Sequence, residues 1–337
     1  MTAIVTGLDR PRGGAVNVFF ALCGLRSYQC GGFIHGATTP MKVSVSQPPS
    51  QPPSLASLRQ EIDRIDEAMH NLLVERGEII DRLIAAKQTQ ESGSAFRPAR
   101  EAEMMRRLVA RHRGILPLDT AESIWRVIIA TFTYVQAPFS VHADLSAGDA
   151  MMRDSARFHF GFTVPFVPHM GAASAVAAVA NSKGDLALVP AFEIAGAGAW
   201  WSALEFDAAP KIIARLPFVE RSDHPAGLPV FVVSRAAPDT MVREVEVWSL
   251  RVAGFRASAG RELKSLAEII AVPDRAFDGA ALLVSVPQGG SIDRVTGALI
   301  ASGASVRGCM LVGSHATRYT IAGGGPMRLD GGPHPGA

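Results

Sequence analysis

The sequence predicts a multidomain fold, with a helical domain at residues 54–138 followed by an α/β domain at residues 150–322. Apolar residues recur with helical spacing over residues 58–83. After Ser140 the pattern changes to short β-like runs that alternate with alanine-rich stretches. A length of 337 residues, of which 48% are hydrophobic, is enough for two folded units. These observations favour two domains of different classes.

The two ends of the chain predict little structure. Residues 1–53 contain a Ser/Pro/Gln spacer after Met41, so we expect a disordered leader and a true start at Met41. Residues 1–40 also weakly resemble a signal peptide, which leaves export open as an alternative. Residues 323–337 are rich in glycine and proline and predict a disordered tail.

The first helix of the helical domain is predicted to be unusually long. It begins at Ser57, which forms a capping box with Gln60, and it ends at Gly93. A helix of that length spans about 50 Å. Ordinary globular helices are shorter, so the pattern predicts pairing along a neighbouring helix.

Two shorter helices complete the helical domain. The second begins at Pro98, a favoured first residue of a helix. The third begins at Asp119, with Glu122 as its capping partner, and ends before Pro138. In the α/β domain, strands are predicted at residues 157–164, 185–189, 230–233 and 281–286. An open α/β continuation and a small ligand-binding regulatory module both fit residues 279–313.

Composition excludes several classes of function. A formal net charge of +2, with 19% of residues charged, gives no broad basic surface for nucleic acid. The three cysteines form neither a CxxC motif nor a cluster with histidine, so we expect no metal site and no disulfide framework. The longest apolar runs are short or broken by Pro190 and Glu193. We therefore expect a cytoplasmic protein that binds neither nucleic acid nor a membrane.

Four polar residues occupy positions where the helices should be apolar. Arg76 and Lys87 continue the apolar stripe of the first helix. They are close to three turns apart, so both project from one face at a separation of about 16 Å. The same test places Glu101 on the apolar face of the second helix and Gln136 on that of the third.

Buried charges are costly unless they are paired or bind a ligand. One interpretation is an internal ion pair of Arg76 or Lys87 with Glu101 that fixes the helix register. The other interpretation is a site for a small dianion, because two cations and one carboxylate leave an excess of positive charge. Arg59 lies about 25 Å from Arg76 along a continuous helix. It is therefore either a solvated surface residue or part of the site of an antiparallel partner.

These residues resemble the all-helical chorismate mutases, including those fused to prephenate dehydratase. The resemblance covers the whole three-helix region. It implies that the protein converts chorismate to prephenate in phenylalanine and tyrosine biosynthesis, as an intertwined homodimer and without metal or cofactor. It rests on the motifs Leu58-Arg59-xx-Ile62-Asp63-x-Ile65-Asp66, Leu72-Leu73-xx-Arg76, Lys87, Arg97-Pro98-x-Arg100-Glu101 and Gln136.

The resemblance assigns three arginines to the carboxylates of chorismate. Arg76 and Arg59 of the partner chain would each bind one carboxylate through the planar guanidinium. Arg100 would support the same side of the pocket. The rearrangement is pericyclic and needs no nucleophile, acid or base, so holding the enolpyruvyl arm over the ring supplies the reactive geometry.

The remaining roles concern the ether oxygen and the ring hydroxyl. By resemblance, Lys87 and Gln136 would face the ether oxygen, where negative charge develops. Glu101 would accept a hydrogen bond from the ring hydroxyl. Two positions depart from the family pattern. Arg97 replaces a carboxylate, and Phe132 replaces a small hydroxyl residue.

The segment Gly171–Pro190 resembles a helix and strand of the periplasmic-binding-type fold of prephenate dehydratases. Two of their motifs are missing. Residues 191–193 read Ala-Phe-Glu instead of Glu-Asn-Ser, and residues 228–231 read Leu-Pro-Val-Phe where a Thr-Arg-Phe motif is expected. Ser234 and Thr240 are the nearby hydroxyl groups that would have to replace the missing threonine.

Three functions are compatible with these patterns. The first is a chorismate mutase with a non-catalytic binding or regulatory domain, and the second is a bifunctional mutase and dehydratase. The third is a helical dimer without enzyme activity. We favour the first, because Val230 and Phe231 provide no side chain that donates a proton.

Overall fold

The computed structural model describes residues 53–87, 95–235, 242–256, 263–274 and 279–321. Residues 1–52 of the expected leader, with Met41, lie outside the described residues, as do the predicted helix stop at Gly93 and the expected tail. Helices occupy the first part of the described chain, and strands begin at Val141. This order confirms the predicted fold class of a helical region followed by an α/β region.

Three helices form the first part, as predicted. α1 begins before the predicted start, because the Ser54 hydroxyl accepts a hydrogen bond from the backbone N–H of Ser57 at 3.1 Å. The predicted capping by Ser57 is therefore wrong. Capping of α3 by Glu122 is also wrong, because that carboxylate accepts a hydrogen bond from Arg221. The three helices are α1 (Leu55–Lys87), α2 (Pro98–Arg111) and α3 (Leu118–Gln136).

The second part alternates strands with helices, and strands lie at or overlap the predicted residues 185–189, 230–233 and 281–286. The helices are α4 (Asp149–Phe160), α5 (Ala172–Val179) and α6 (Ile292–Ala301). The strands are β1 (Val141–Asp144), β2 (Phe166–His169), β3 (Leu186–Pro190), β4 (Lys211–Leu216), β5 (Val219–Glu220), β6 (Val230–Ser234), β7 (Val245–Ala253), β8 (Glu268–Asp274), β9 (Gly279–Pro287), β10 (Ser305–His315) and β11 (Tyr319–Thr320).

The strand predicted at residues 157–164 is wrong, because much of this segment belongs to α4. Met152, Ala156 and Phe160 are buried at steps of one helical turn. Gly161 then ends the helix with a φ of 67°. Glycine adopts this left-handed conformation without steric cost, so the helix stops before the β-branched residues that suggested a strand.

Nine strands form one mixed sheet in the order β2-β1-β3-β6-β4-β10-β7-β9-β8. β1 is parallel to β2 and β3, and β10 is parallel to β4. The other neighbours in this sheet are antiparallel. Residues 279–313 thus extend the same sheet through β9, α6 and most of β10.

The sheet is continuous between β4 and β10 because position 313 is glycine. Gly313 pairs with Ile212 across this junction. A Cβ atom at position 313 would lie 2.2 Å from the Ile212 carbonyl oxygen. A larger residue would push the two backbones apart, so glycine permits the close approach that joins the two halves of the sheet.

Helices α2 and α3 share a hydrophobic core with the α/β part. Met105 of α2 and Ile129 of α3 belong to the same buried cluster as Phe160 of α4 and Val141 of β1. A buried side chain of this size typically contributes about 1.5–3 kcal/mol through removal of apolar surface from water. The placement of α2 and α3 therefore depends on the α/β part.

Helix α1 differs, because many of its apolar side chains are exposed. Leu72 is 63% exposed, Ile62 56% and Met69 52%. An apolar stripe of this size marks an interaction surface. No helix in the described part of the chain is long and apolar enough to cross a membrane.

Candidate active site

Arg76 lies in the second half of α1 and is partly buried. Its guanidinium carbon lies 5.1 Å from the centre of the Phe132 ring of α3, within cation–π distance. Burial lowers the pKa of Arg76, and the positive charge of Arg100 lowers it further. The two guanidinium groups therefore interact unfavourably, and a bound anion would relieve this repulsion.

Gln136 lies in the last turn of α3 and is also partly buried. Its Nε2 donates a hydrogen bond to the backbone carbonyl oxygen of Phe132 at 2.9 Å. Phe132 thus contacts Arg76 through its ring and Gln136 through its carbonyl group. The phenylalanine that departs from the family pattern at position 132 therefore gives Arg76 a ring contact that a small hydroxyl residue would not provide.

Glu101 is almost completely buried, with 4% of its surface exposed. Its Oε2 accepts a hydrogen bond from Nη1 of Arg126 at 2.7 Å. Burial raises the pKa of Glu101, whereas the charge and hydrogen bond of Arg126 act in the opposite direction. The sequence suggested an ion pair of Glu101 with Arg76 or Lys87. In the structure, Glu101 instead pairs with Arg126.

The sequence contained a signal that would have identified Arg126. Arg126 lies three, four and seven residues before Ile129, Ala130 and Thr133, all of which are buried on α3. This spacing puts Arg126 on the same helix face, where a charged side chain requires a partner. Gln136, which the sequence placed on the apolar face of this helix, is only partly buried.

The other predicted site residues are less enclosed. Arg59 and Arg100 are exposed. Lys87 is the last residue of α1, and its side chain lies outside the described residues. Contacts with Phe132 and the influence of Arg100 on Arg76 thus bring Arg76, Arg100 and Gln136 into one cluster, which we call the arginine cluster. The roles assigned to all six residues stay predictions.

In the α/β part, the position of the missing dehydratase motif is closed. Val230 and Phe231 of β6 are 0% and 1% exposed. Ser234 is 1% exposed, and its hydroxyl donates a hydrogen bond to the Asp185 carbonyl oxygen at 2.9 Å. Thr240 lies outside the described residues. Ser234 is therefore held in a structural contact inside the sheet.

Two histidines of the α/β part, His169 and His315, each have a hydrogen-bond partner. Nε2 of His169 lies 2.9 Å from Nδ1 of His142. Nδ1 of His315 lies 2.8 Å from the Ala316 carbonyl oxygen, and burial lowers the pKa of His315 to about 4. Within the described ranges, no group of three or more His, Cys, Asp or Glu side chains is placed to hold a metal ion.

Comparisons with known proteins identify one family and one curated relative that resemble parts of this chain. The family described as chorismate mutase type II matches residues 58–137. A bifunctional chorismate mutase/prephenate dehydratase from Aquifex aeolicus (strain VF5) is 27% identical over 140 residues. This alignment covers 40% of the present chain and 38% of the Aquifex protein, well under two thirds of that relative.

Two solved structures have a weak likeness to the chain. The X-ray structure of prephenate dehydratase from Streptococcus mutans is 13% identical, with a TM-score of 0.34 over 54% of this chain and 99% of that one. A structure described as GqqA, a novel type of quorum quenching acylase, is 13% identical, with a TM-score of 0.33 over 53% and 95%. These likenesses do not bear on function.

The helical part is identified by its family match, its three helices and the arginine cluster. The match begins within α1 and ends just after α3. It includes all of the site residues predicted from the sequence. Residues 58–137 therefore form a chorismate mutase type II domain, followed in this chain by a mixed α/β region.

Proposed function

We propose that this protein is a cytoplasmic chorismate mutase, which converts chorismate to prephenate in phenylalanine and tyrosine biosynthesis without metal or cofactor. The proposal rests on the partly buried Arg76, whose guanidinium lies against the Phe132 ring within a chorismate mutase type II domain. Chorismate is a dianion, and neighbouring guanidinium groups favour a ligand with carboxylates over a neutral one.

The carboxylates of chorismate bind at the arginine cluster. Arg76 binds one carboxylate, held in place by the Phe132 ring, and Arg100 adds positive charge beside it. The second carboxylate binds Arg59 of a second copy of the chain. Bidentate contacts at both ends fix the enolpyruvyl arm over the ring, so that the reacting carbons meet without a covalent intermediate.

The ether oxygen gains negative charge as the C–O bond breaks. Lys87 and Gln136 donate hydrogen bonds to this oxygen, and each such donor typically contributes about 3–4 kcal/mol in the transition state. Gln136 already donates one N–H to the Phe132 carbonyl, which fixes its amide plane. Glu101 accepts a hydrogen bond from the ring hydroxyl through its carboxylate.

The chain acts as a homodimer in this proposal. Leu72, Ile62 and Met69 are more than half exposed on α1, and this helix is 33 residues long. An antiparallel second copy of α1 would cover such a stripe along its length and bring its own Arg59 toward the first chain's arginine cluster. No nucleic acid or membrane is a partner in this proposal.

We expect prephenate to be the final product. Val230 and Phe231 are buried and carry no proton donor, and the Ser234 hydroxyl is occupied by Asp185. Loss of hydroxide and carbon dioxide from prephenate needs such a donor. The purified protein, given chorismate at neutral pH, should consume it and accumulate prephenate without forming phenylpyruvate above the spontaneous rate.

The alternative is a bifunctional mutase and dehydratase, which the name of the Aquifex relative favours. Enzyme-dependent phenylpyruvate, lost in a Ser234→Ala variant, would establish this alternative and identify the donor. No consumption of chorismate by a folded protein would instead support a helical dimer without enzyme activity. Heat-inactivated protein serves as the control for spontaneous decay.

A further inference from the structure

Arg126 is a completely buried cation of α3, with 0% of its surface exposed. It makes three contacts. Nη1 donates to Oε2 of Glu101 at 2.7 Å, and Nη2 donates to the His159 carbonyl oxygen at 3.1 Å. The guanidinium carbon lies 5.1 Å from the centre of the Phe218 ring. Two of these three contacts come from the α/β part, since His159 belongs to α4 and Phe218 follows β4.

These contacts hold the carboxylate of Glu101 in one place. A buried carboxylate without a cation takes up a proton or turns toward water. Arg126 supplies that cation from a fixed position, because its Nη2 donates to the His159 carbonyl oxygen and its guanidinium lies against the Phe218 ring. The hydrogen bond from Arg126 occupies Oε2 of Glu101. The orientation of Oε1 follows from it, because a carboxylate is planar.

We propose that Arg126 is a positioning residue for the mutase reaction, through which the α/β part fixes the carboxylate of Glu101 that receives the ring hydroxyl of chorismate. The inference rests on the proposed function. If it holds, the α/β part contributes to the rearrangement without binding a ligand of its own. Arg126 does not touch the substrate and acts through Glu101.

A second buried ion pair on α3 provides a matched control. Nη1 of Arg221 lies 2.7 Å from Oε2 of Glu122, and the two side chains are 7% and 0% exposed. Nε2 of His224 lies 3.3 Å from the other oxygen of Glu122. This pair also joins α3 to the α/β part, but its ion pairs and hydrogen bonds among the described residues do not include Glu101. Its loss should destabilise the same interface without changing the site.

The experiment compares full-length wild type with Arg126→Gln, Arg126→Lys and Arg221→Gln. Each is assayed for kcat and KM with chorismate and with an analogue in which hydrogen replaces the ring hydroxyl. Each rate is divided by the uncatalysed rate of the same compound. Circular dichroism and thermal unfolding report the fold of every variant.

Wild type should prefer chorismate over the analogue by about 10- to 100-fold, as expected for a hydrogen bond to a charged group. Arg126→Gln should lower kcat/KM for chorismate by on the order of 100-fold and lose most of this preference. Arg126→Lys keeps the charge without the planar fork and should retain an intermediate preference. Arg221→Gln should unfold more easily but keep the wild-type preference.

An unchanged preference in folded Arg126→Gln would overturn the inference, as would an equal loss in Arg221→Gln. A wild type that does not distinguish the two compounds would also overturn it, because Glu101 would then not receive the hydroxyl. If the Arg126 variants do not fold, Phe218→Leu decides, since it leaves all ion pairs in place and should reduce the preference. A wild type that does not consume chorismate contradicts the proposed function itself.

Discussion

Helices α1 and α3 of the same domain distribute their side chains in opposite ways. On α1, Leu72 is 63% exposed and Met69 52%. On α3, Glu122 and Arg126 are both 0% exposed. An exposed apolar stripe and a buried pair of charges are each unfavourable alone, so each helix requires a particular partner. For α3 the partners are Glu101 of α2 and Arg221 of the α/β part, and for α1 we propose a second copy of the chain.

The difference shows what helical periodicity can predict. It identifies the face of a helix that will be covered, because one face repeats at every turn. It does not identify the covering surface. Arg126 is balanced by Glu101 on the neighbouring helix and by groups of the α/β part that are far away in sequence.

The largest expected effect is the loss of activity on changing the cations of α1. Arg76→Ala and Lys87→Ala should each lower kcat/KM for chorismate by on the order of 100- to 1,000-fold, because each removes a charge that binds or stabilises the transition state. Helicity and dimerisation should be retained. Steady-state kinetics, circular dichroism and sedimentation measure these quantities.

Arg82→Ala is the matched control for these variants. Arg82 is an exposed arginine of α1 and has no predicted role in the site. Its loss should leave kcat/KM within about twofold of wild type. Unchanged turnover in Arg76→Ala would contradict the site assignment, and an equal loss in Arg82→Ala would point to a general effect of charge on α1.

The next effect is recovery of activity when two inactive variants are mixed. If Arg59 serves the partner's site, a dimer of one Arg59→Ala chain and one Arg76→Ala chain contains one intact site. Random exchange of equal amounts should then restore about a quarter of the wild-type activity. Activity is measured before and after exchange, and mass spectrometry of the native dimers confirms that subunits have mixed.

Each variant incubated alone is the control for slow reactivation. Absence of recovery after demonstrated exchange would mean that each site is built from one chain. Arg59 would then be a solvated surface residue, in keeping with its exposure.

Local signals predicted the three helices and strands β3, β6 and β9 because these elements follow simple periods in the sequence. The strand predicted from local signals at residues 157–164 was wrong, because α4 continues to Phe160 and ends at Gly161. The domain boundary at residue 150 stays a prediction, and the structure places β1 before it. For the site, resemblance selected the polar residues, but the partner of Glu101 follows from tertiary packing.

A smaller effect is the difference between α3 and α1 in the free energy of unfolding that is lost when an apolar side chain is truncated. Ile129→Ala removes a side chain that is 5% exposed in the shared core and should lower the free energy of unfolding by about 2–5 kcal/mol. Leu72→Ala changes an exposed residue and should cost less than about 0.5 kcal/mol within one chain. It should instead weaken dimerisation.

Denaturant unfolding at several protein concentrations distinguishes the two variants. The midpoint of Leu72→Ala should approach that of wild type as protein concentration rises, because mass action restores the dimer. The deficit of Ile129→Ala should persist at every concentration. A concentration-independent loss of several kcal/mol in Leu72→Ala would mean that α1 packs within its own chain.

The smallest expected effect is a pH dependence of the free energy of unfolding that arises from His159, the residue of α4 that contacts Arg126 of α3. His159 is 0% exposed, and neither ring nitrogen has a hydrogen-bond partner among the described residues. Burial lowers the pKa of His159 well below its usual value, and the charges of Arg126 and His224 lower it further. The unfolded chain binds a proton at this ring near pH 6.5, whereas the native chain does not. The unfolded state therefore holds more protons below about pH 6.5, and the free energy of unfolding decreases there by up to about 1.4 kcal/mol per pH unit.

Substitution of His159 by phenylalanine tests this effect, because the ring is retained without a titrating group. Urea unfolding of His159→Phe should depend less on pH than wild type between about pH 6.5 and about pH 5.5, and the two curves should run parallel above about pH 7.5. His70→Asn, on the exposed surface of α1, is the matched control for removal of a histidine. A wild-type pH slope that persists in His159→Phe would show that other groups cause it. A reduced slope would show that protonation of His159 in acid weakens the contact of α3 with the α/β part. The exposed stripe of α1 takes no part in this effect.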